Sequence, residues 1–232
     1  MRLDKYLCDT LNMTRTEAKK AIAKGRVTVD GAIAKTGSLQ VEDHEVLLDR
    51  QQVVYQRYFY IMLNKPAGYV CANRDSRSKT VFDLLPPEYH KKDLFVCGRL
   101  DKDTTGLVLI TNHGELAHRL LAPKKDVFKE YLVTLRDPVK IEDIQRLRDG
   151  IVLRDGLHCK PAYFEQYKER YGLLRISEGK YHQIKRMFAA LGNEVTALHR
   201  QAIHGLTLDP TLEVGKCRYL TEAEIISLEN VE

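Results

Sequence analysis

Between Asp49 and Tyr58 the sequence loses any regular spacing of apolar residues and turns polar, and the segments on either side of this break carry different patterns. A chain so divided is expected to fold as two units. In the first segment Leu3, Tyr6, Leu7 and Leu11 fall on one stripe of a 3.6-residue period, which predicts a short amphipathic helix. A second helix opens at Thr14, whose hydroxyl and Glu17 three residues on have the spacing of a capping box, and Gly25 ends it. Val27 and Val29 then alternate with polar residues up to Asp30-Gly31, a pair suited to the positive φ of a tight hairpin turn. The return strands should take in Ile33 and residues 44–48. The reading is therefore a small domain over 1–48, a linker over 49–58 and a larger domain over 59–232.

The larger domain is rich in strand-like runs, at 58–63, 95–97, 106–110, 131–135, 173–176 and 194–198. A helix is predicted over about 182–191, with Ile184, Met187, Phe188 and Leu191 on one face and Gly192 after it. Another starts at Thr221, which has Glu224 as its capping partner. Strands and helices do not alternate regularly, so the expected class is α+β with a largely antiparallel sheet, not a doubly wound parallel one. A length of 232 residues, 44% of them hydrophobic and 30% charged, suits one sizeable core plus an appendage.

A net charge of +5 favours a polyanionic partner. Much of it gathers at the second helix, where Arg15, Lys19, Lys20, Lys24 and Arg26 face a single acid, Glu17. That density suits phosphate neutralisation, although charge alone also fits a solvated helix face. Five cysteines without a CxxC pair indicate neither a disulfide framework nor a metal knuckle, and a reducing cytoplasm is the expected compartment. No closely spaced His/Asp/Glu set indicates a metal, and neither GxxxxGK[ST] nor GxGxxG is present. The N-terminal ten residues alternate charge with apolar side chains, unlike a signal peptide, and no stretch approaches a membrane span.

The run GRLDKDTTGL at 98–107 sits between two strand-like segments, where a loop presents side chains from a rigid sheet. For Asp103, Thr104 and Thr105 the ordinary reading is a turn whose side chains bond their own backbone. Asp101 is the candidate for chemistry.

Residues 1–48, with their two helices and the GRVTVDG hairpin at 25–31, resemble the S4-like RNA-binding domain. The 98–107 run resembles the GRLDxxTTGL signature of pseudouridine synthases of the small-subunit rRNA branch. Two further motifs of that family match, a basic-x-Tyr at Lys129-Glu130-Tyr131 and HQ-apolar-basic-RM from His182 to Met187. The resemblance covers essentially the whole chain and implies an enzyme that detaches uracil from C1′ and rejoins it through C5, without cofactor or metal.

By this resemblance Asp101 is the catalytic carboxylate, acting as nucleophile at C1′ or as base at C2′. Lys185 is its countercharge. Tyr131 offers an aromatic face to the free base and a phenol near C5. Arg99 either fills the gap left by the turned-out nucleotide or contacts a phosphate, and Arg186 joins the basic residues of the second helix as an RNA contact. His182 and His199 are given no catalytic role. The expected partner is small-subunit (16S) rRNA, free or within a pre-ribosomal assembly intermediate, met by a monomer. The run at 176–193 resembles that of synthases acting on uridine 516, and the long basic tail of several large-subunit relatives does not follow the Thr221 helix, so the resemblance implies uridine 516 as target. A large-subunit uridine, or a non-catalytic S4-type binding protein, is the alternative.

Overall fold

The computed structural model describes residues 1–11, 13–90, 93–122 and 127–230, and it divides into two compact units, Met1–Tyr58 and Phe59–Glu232.

The first unit begins with helices α1 (Leu3–Leu11) and α2 (Arg15–Ala23). The Thr14–Glu17 capping box forms as expected, satisfying two backbone donors that the start of α2 leaves open. Strands β1 (Val27–Val29), β2 (Ala32–Ile33), β3 (Val46–Leu48) and β4 (Gln51–Gln52) make a sheet in the order β2-β1-β3-β4, antiparallel throughout. Leu3, Leu7, Ala18, Ile22, Val27 and Val46 close its core. At the β1–β2 turn Asp30 and Gly31 take φ of 48° and 80°, the doubly left-handed geometry of a type I′ hairpin.

The segment 49–58 is not a free linker in this fold. Asp49 and Arg50 both have positive φ, at 51° and 67°, and form a second tight turn that pairs Leu48 with Gln51. Val53 is buried, its carbonyl accepts the Tyr6 hydroxyl at 2.7 Å, and the Tyr55 ring lies 5.3 Å from that of Tyr6. A turn made without glycine, followed by single apolar anchors, leaves no periodic signal to read.

The second unit contains β5 (Tyr60–Lys65), β6 (Phe95–Cys97), β7 (Thr105–Thr111), α3 (Gly114–Leu121), β8 (Lys129–Leu135), α4 (Ile141–Asp149), β9 (Ala162–Lys168), β10 (Tyr171–Ile176), α5 (Gln183–Ala190), β11 (Val195–Ile203), β12 (Leu206–Thr207), β13 (Cys217–Tyr219) and α6 (Glu222–Glu229). Its sheet runs β13-β5-β7-β11-β8-β10-β9, with β6 added on β7 and β12 on β11. Among the described strand pairings of this sheet only β7 and β11 run parallel, so the sheet is mixed and mostly antiparallel. Leu107, Val108, Leu109 and Ile110 of β7 are all 0% exposed, which explains why this strand reads as a continuous apolar run. Strand β8 instead alternates buried and half-buried positions, and α5 lays Ile184, Met187 and Phe188 into the core. Three elements end close together as a result: the loop entering β7, the first half of β8 and the start of α5.

Candidate active site

The loop 98–104 is fixed from beneath by a buried cation. Lys65, at the end of β5, is 0% exposed. Its Nζ donates to the carbonyls of Pro66 (3.1 Å), Asp101 (3.2 Å), Lys102 (3.2 Å) and Thr104 (2.7 Å). Burial pushes the ammonium below its ordinary pKa, while Asp103 and Asp101 act in the opposite sense. The loop carbonyls take the place of water around the charge. Beyond the loop, the parallel pairing of β7 with β11 sets Gly106 opposite Arg200, and a Cβ at Gly106 would meet the Arg200 carbonyl oxygen at 2.3 Å. Only glycine lets the two backbones approach so closely.

Above this base, Lys185 from the first turn of α5 bridges two carboxylates, reaching Asp101 Oδ2 at 3.1 Å and Asp103 Oδ1 at 2.5 Å. Asp101 and Lys185 are each 26% exposed, whereas Asp103 is 73% exposed. The hydrogen bond from Lys185 holds the Asp103 carboxyl below its usual range. Burial works against the charge on Lys185, but its hydrogen bonds to Asp103 and Asp101 outweigh that and raise its pKa. Asp103 therefore does more than shape a turn, which the spacing of the motif did not reveal.

The other face of Asp101 looks toward His182, whose Nε2 lies 3.6 Å from Oδ1. His182 caps α5 in the left-handed region, with φ 48° and ψ 34°, and its ring stacks at 3.8 Å on that of Tyr181. A non-glycine residue held in this conformation stores backbone strain, a feature that gathers at functional sites. The sequence reading gave His182 no such position.

Arg99, Asp101, Thr104, Tyr131, His182 and Lys185 line one pocket, with Leu100, Ile176, Ile184 and Leu198 as its apolar wall. Tyr131, on β8, is 8% exposed and combines a stacking face with a phenol. The motif residues Arg99, Asp101, Tyr131 and Lys185 are thus brought together from three separate stretches of chain. Arg186 is engaged elsewhere, with Asp155 and with the Tyr181 carbonyl at 3.3 Å. His199 is satisfied locally by Thr105 Oγ1 at 2.9 Å, and burial lowers its pKa. In the first unit Arg15, Lys19, Lys20, Lys24 and Arg26 are all exposed, with Arg26 paired to Asp49. Among the described residues no cluster of three or more His, Cys, Asp or Glu is arranged to hold a metal, and no helix is long and apolar enough to cross a membrane. Chemically, a carboxylate flanked by an ammonium in a pocket with an apolar wall is equipped to attack an electrophilic carbon or to remove a proton.

The RNA pseudouridylate synthase family model matches residues 59–190, and the S4 domain model matches residues 1–47. The ribosomal small subunit pseudouridine synthase A of Vibrio parahaemolyticus is 47% identical over 99% of this chain and 100% of its own length. The protein of the same name from Escherichia coli is 44% identical over 98% of this chain and 100% of its own. An uncharacterized RNA pseudouridine synthase of Bacillus subtilis, YtzG, is 44% identical over 97% of both. A crystal structure of a pseudouridylate synthase superposes with a TM-score of 0.70 at 42% identity, covering 98% of this chain and 99% of that one. The chain belongs to the RNA pseudouridylate synthase family and carries an S4 domain ahead of its catalytic domain.

Proposed function

We propose that this enzyme converts one uridine of small-subunit ribosomal RNA, uridine 516, to pseudouridine in the cytoplasm, with Asp101 as the reacting carboxylate. The observation that carries the reading is the pairing of Asp101 with Lys185 at 3.1 Å inside the pocket that Tyr131 also lines. Full-length likeness to proteins named for the small ribosomal subunit supports the choice of RNA.

The reaction breaks N1–C1′ and makes C5–C1′. The proton lost from C5 is balanced by one gained at N1, so no atom or electron is exchanged with a co-substrate. That stoichiometry calls for no cofactor. Lys185 is the countercharge beside Asp101, and the carboxylate acts on the ribose as nucleophile at C1′ or as base at C2′. Tyr131 stacks on the freed uracil and takes the C5 proton. Arg99, which also lines the pocket, occupies the space of the turned-out nucleotide or grips its phosphate. The exposed cations Arg15, Lys19, Lys20 and Lys24, with Arg26 and Arg186 in lesser roles, hold flanking RNA phosphates.

The test is to map pseudouridines in small- and large-subunit rRNA from cells lacking this protein, then restore the chain or its Asp101→Asn form. The reading expects one missing pseudouridine, at uridine 516, restored by the first and not by the second. Loss at a large-subunit uridine, or no loss at all, contradicts it.

A further inference from the structure

Buried polar groups are almost always hydrogen-bonded, so an exception inside a pocket points to something the pocket is built to receive. Thr104 is 1% exposed and lines the pocket beside Asp101 and Tyr131. Its Oγ1 has no hydrogen-bond partner among the described residues. The backbone on either side is already committed: Thr104 N–H donates to the Asp101 carbonyl at 3.2 Å, and the Thr104 carbonyl accepts from Lys65 at 2.7 Å. The neighbouring Thr105 hydroxyl is used in the ordinary way, on His199 at 2.9 Å. Thr104 departs from that pattern, leaving a donor and an acceptor unused against the apolar side chains of Leu100, Ile184 and Leu198.

We propose that the Thr104 hydroxyl hydrogen-bonds the uracil of the turned-out uridine and serves that base on both sides of its rotation. This rests on the reading above, that the pocket takes a uridine at Asp101. Uracil has two carbonyls, C2=O and C4=O, placed symmetrically about the axis through N3 and C6. The half-turn that exchanges N1 for C5 also exchanges O2 for O4. A hydroxyl that donates to one carbonyl before the turn therefore meets the other after it. One fixed donor is then satisfied in substrate and product alike, and the detached base is held against escape while it turns. A threonine suits this because its Cβ methyl belongs with the apolar wall while the O–H rotates freely.

The test compares Thr104→Val, which keeps the shape and removes the hydroxyl, with Thr104→Ser, which keeps the hydroxyl, in single-turnover assays on small-subunit rRNA. The valine variant should react roughly ten-fold more slowly, the worth of one neutral hydrogen bond. It should bind RNA within a few-fold of wild type, since phosphate contacts supply most of the affinity, and melt at the same temperature or higher, since an unpartnered hydroxyl has been removed. Serine should restore most of the rate. RNA carrying 4-thiouridine at the target, with a weaker acceptor, should slow the wild type and leave the valine variant no slower than it already is. A wild-type rate for valine overturns the proposal. So does a slow valine variant with a lowered melting temperature that serine does not rescue, because that is the behaviour of a packing residue. Asp101→Asn runs in parallel: if it stays active the catalytic reading itself fails, and if it is inactive beside a fully active valine variant only the Thr104 assignment falls.

Discussion

In the catalytic unit Arg218 and Lys185 each bridge two carboxylates, and they do so to opposite ends. Arg218 donates from Nε to Asp209 Oδ2 at 2.8 Å and binds both oxygens of Glu224 at 2.7 and 2.8 Å. The acids are further occupied: Asp209 Oδ1 accepts from Thr211 N–H and Oγ1 at 2.9 and 2.7 Å, and Glu224 Oε2 accepts from Thr221 N–H at 2.8 Å. Hydrogen bonds from Thr211 and Arg218 hold Asp209 at about 2, and those from Arg218 and Thr221 hold Glu224 at about 2. At the pocket, Lys185 reaches Asp101 at 3.1 Å, and His182 stands off at 3.6 Å. Among the described residues no backbone N–H binds either Asp101 oxygen. A carboxylate with both oxygens engaged by several donors is a structural rivet. One with a single compact ammonium beside it keeps acceptor capacity for a substrate.

The contrast breaks most visibly at Asp101. Asp101→Asn keeps the side-chain shape and removes its charge, so turnover should fall on the order of a thousand-fold or more, while Asp103→Asn costs only a few-fold. Tritium release from C5-labelled rRNA measures both. Equal losses would mean that Lys185 serves the two acids alike.

Lys185→Met comes next. Without the bridging ammonium turnover should drop by roughly 10- to 100-fold, with RNA affinity changed less than about three-fold. The Asp103 carboxyl, now free of its main hydrogen-bond donor, should titrate closer to the ordinary carboxylate range, as NMR of the side chain would report. A variant that binds poorly but turns over normally at saturating RNA would make Lys185 a phosphate ligand.

Arg218→Met should sharpen the comparison from the other side, leaving turnover at neutral pH intact and lowering the melting temperature by a few degrees. The sign follows from the depressed carboxyls. Their stabilisation is present above their ordinary values of 3.8 and 4.5 and is lost as pH falls toward about 2. Urea unfolding followed down through that window should show a flatter acid limb in the variant than in the wild type.

The smallest effect belongs to the S4 unit, where the same distinction between engaged and available charge recurs. Replacing Lys19 or Lys24 by Ala should reduce the salt slope of rRNA binding by about one unit for each phosphate that is no longer neutralised. Arg26→Ala should do less, because Asp49 already holds that guanidinium. Filter binding over a range of salt concentrations reads both.

Local patterns in the sequence were legible where the structure keeps them local. The two capping boxes, the Asp30-Gly31 turn and the apolar run of β7 involve residues no more than a few positions apart, and each appears where it was expected. The polar-to-apolar ratio hid α4, in which only Leu147 is buried and Ile141 is 80% exposed. Strand β9 was hidden for the same reason, with only Ala162 and Phe164 buried. At the site the resemblance to the pseudouridine synthase motifs led to Asp101, Tyr131 and Lys185, but Lys65 looked like an ordinary lysine closing a strand. Its role depends on three carbonyls 36 to 39 residues away, which no local period records. The left-handed His182 and the double bridge of Lys185 are likewise products of tertiary packing.

The most direct test measures turnover and unfolding free energy on the same preparations of Asp101→Asn and Asp209→Asn. The predicted result is a crossover: the first abolishes pseudouridine formation and leaves the unfolding curve in place, while the second keeps wild-type turnover and shifts unfolding to lower denaturant. Wild-type rates in Asp101→Asn, or a loss of turnover in Asp209→Asn without a loss of stability, would contradict the assignment of Asp101 as the reacting carboxylate.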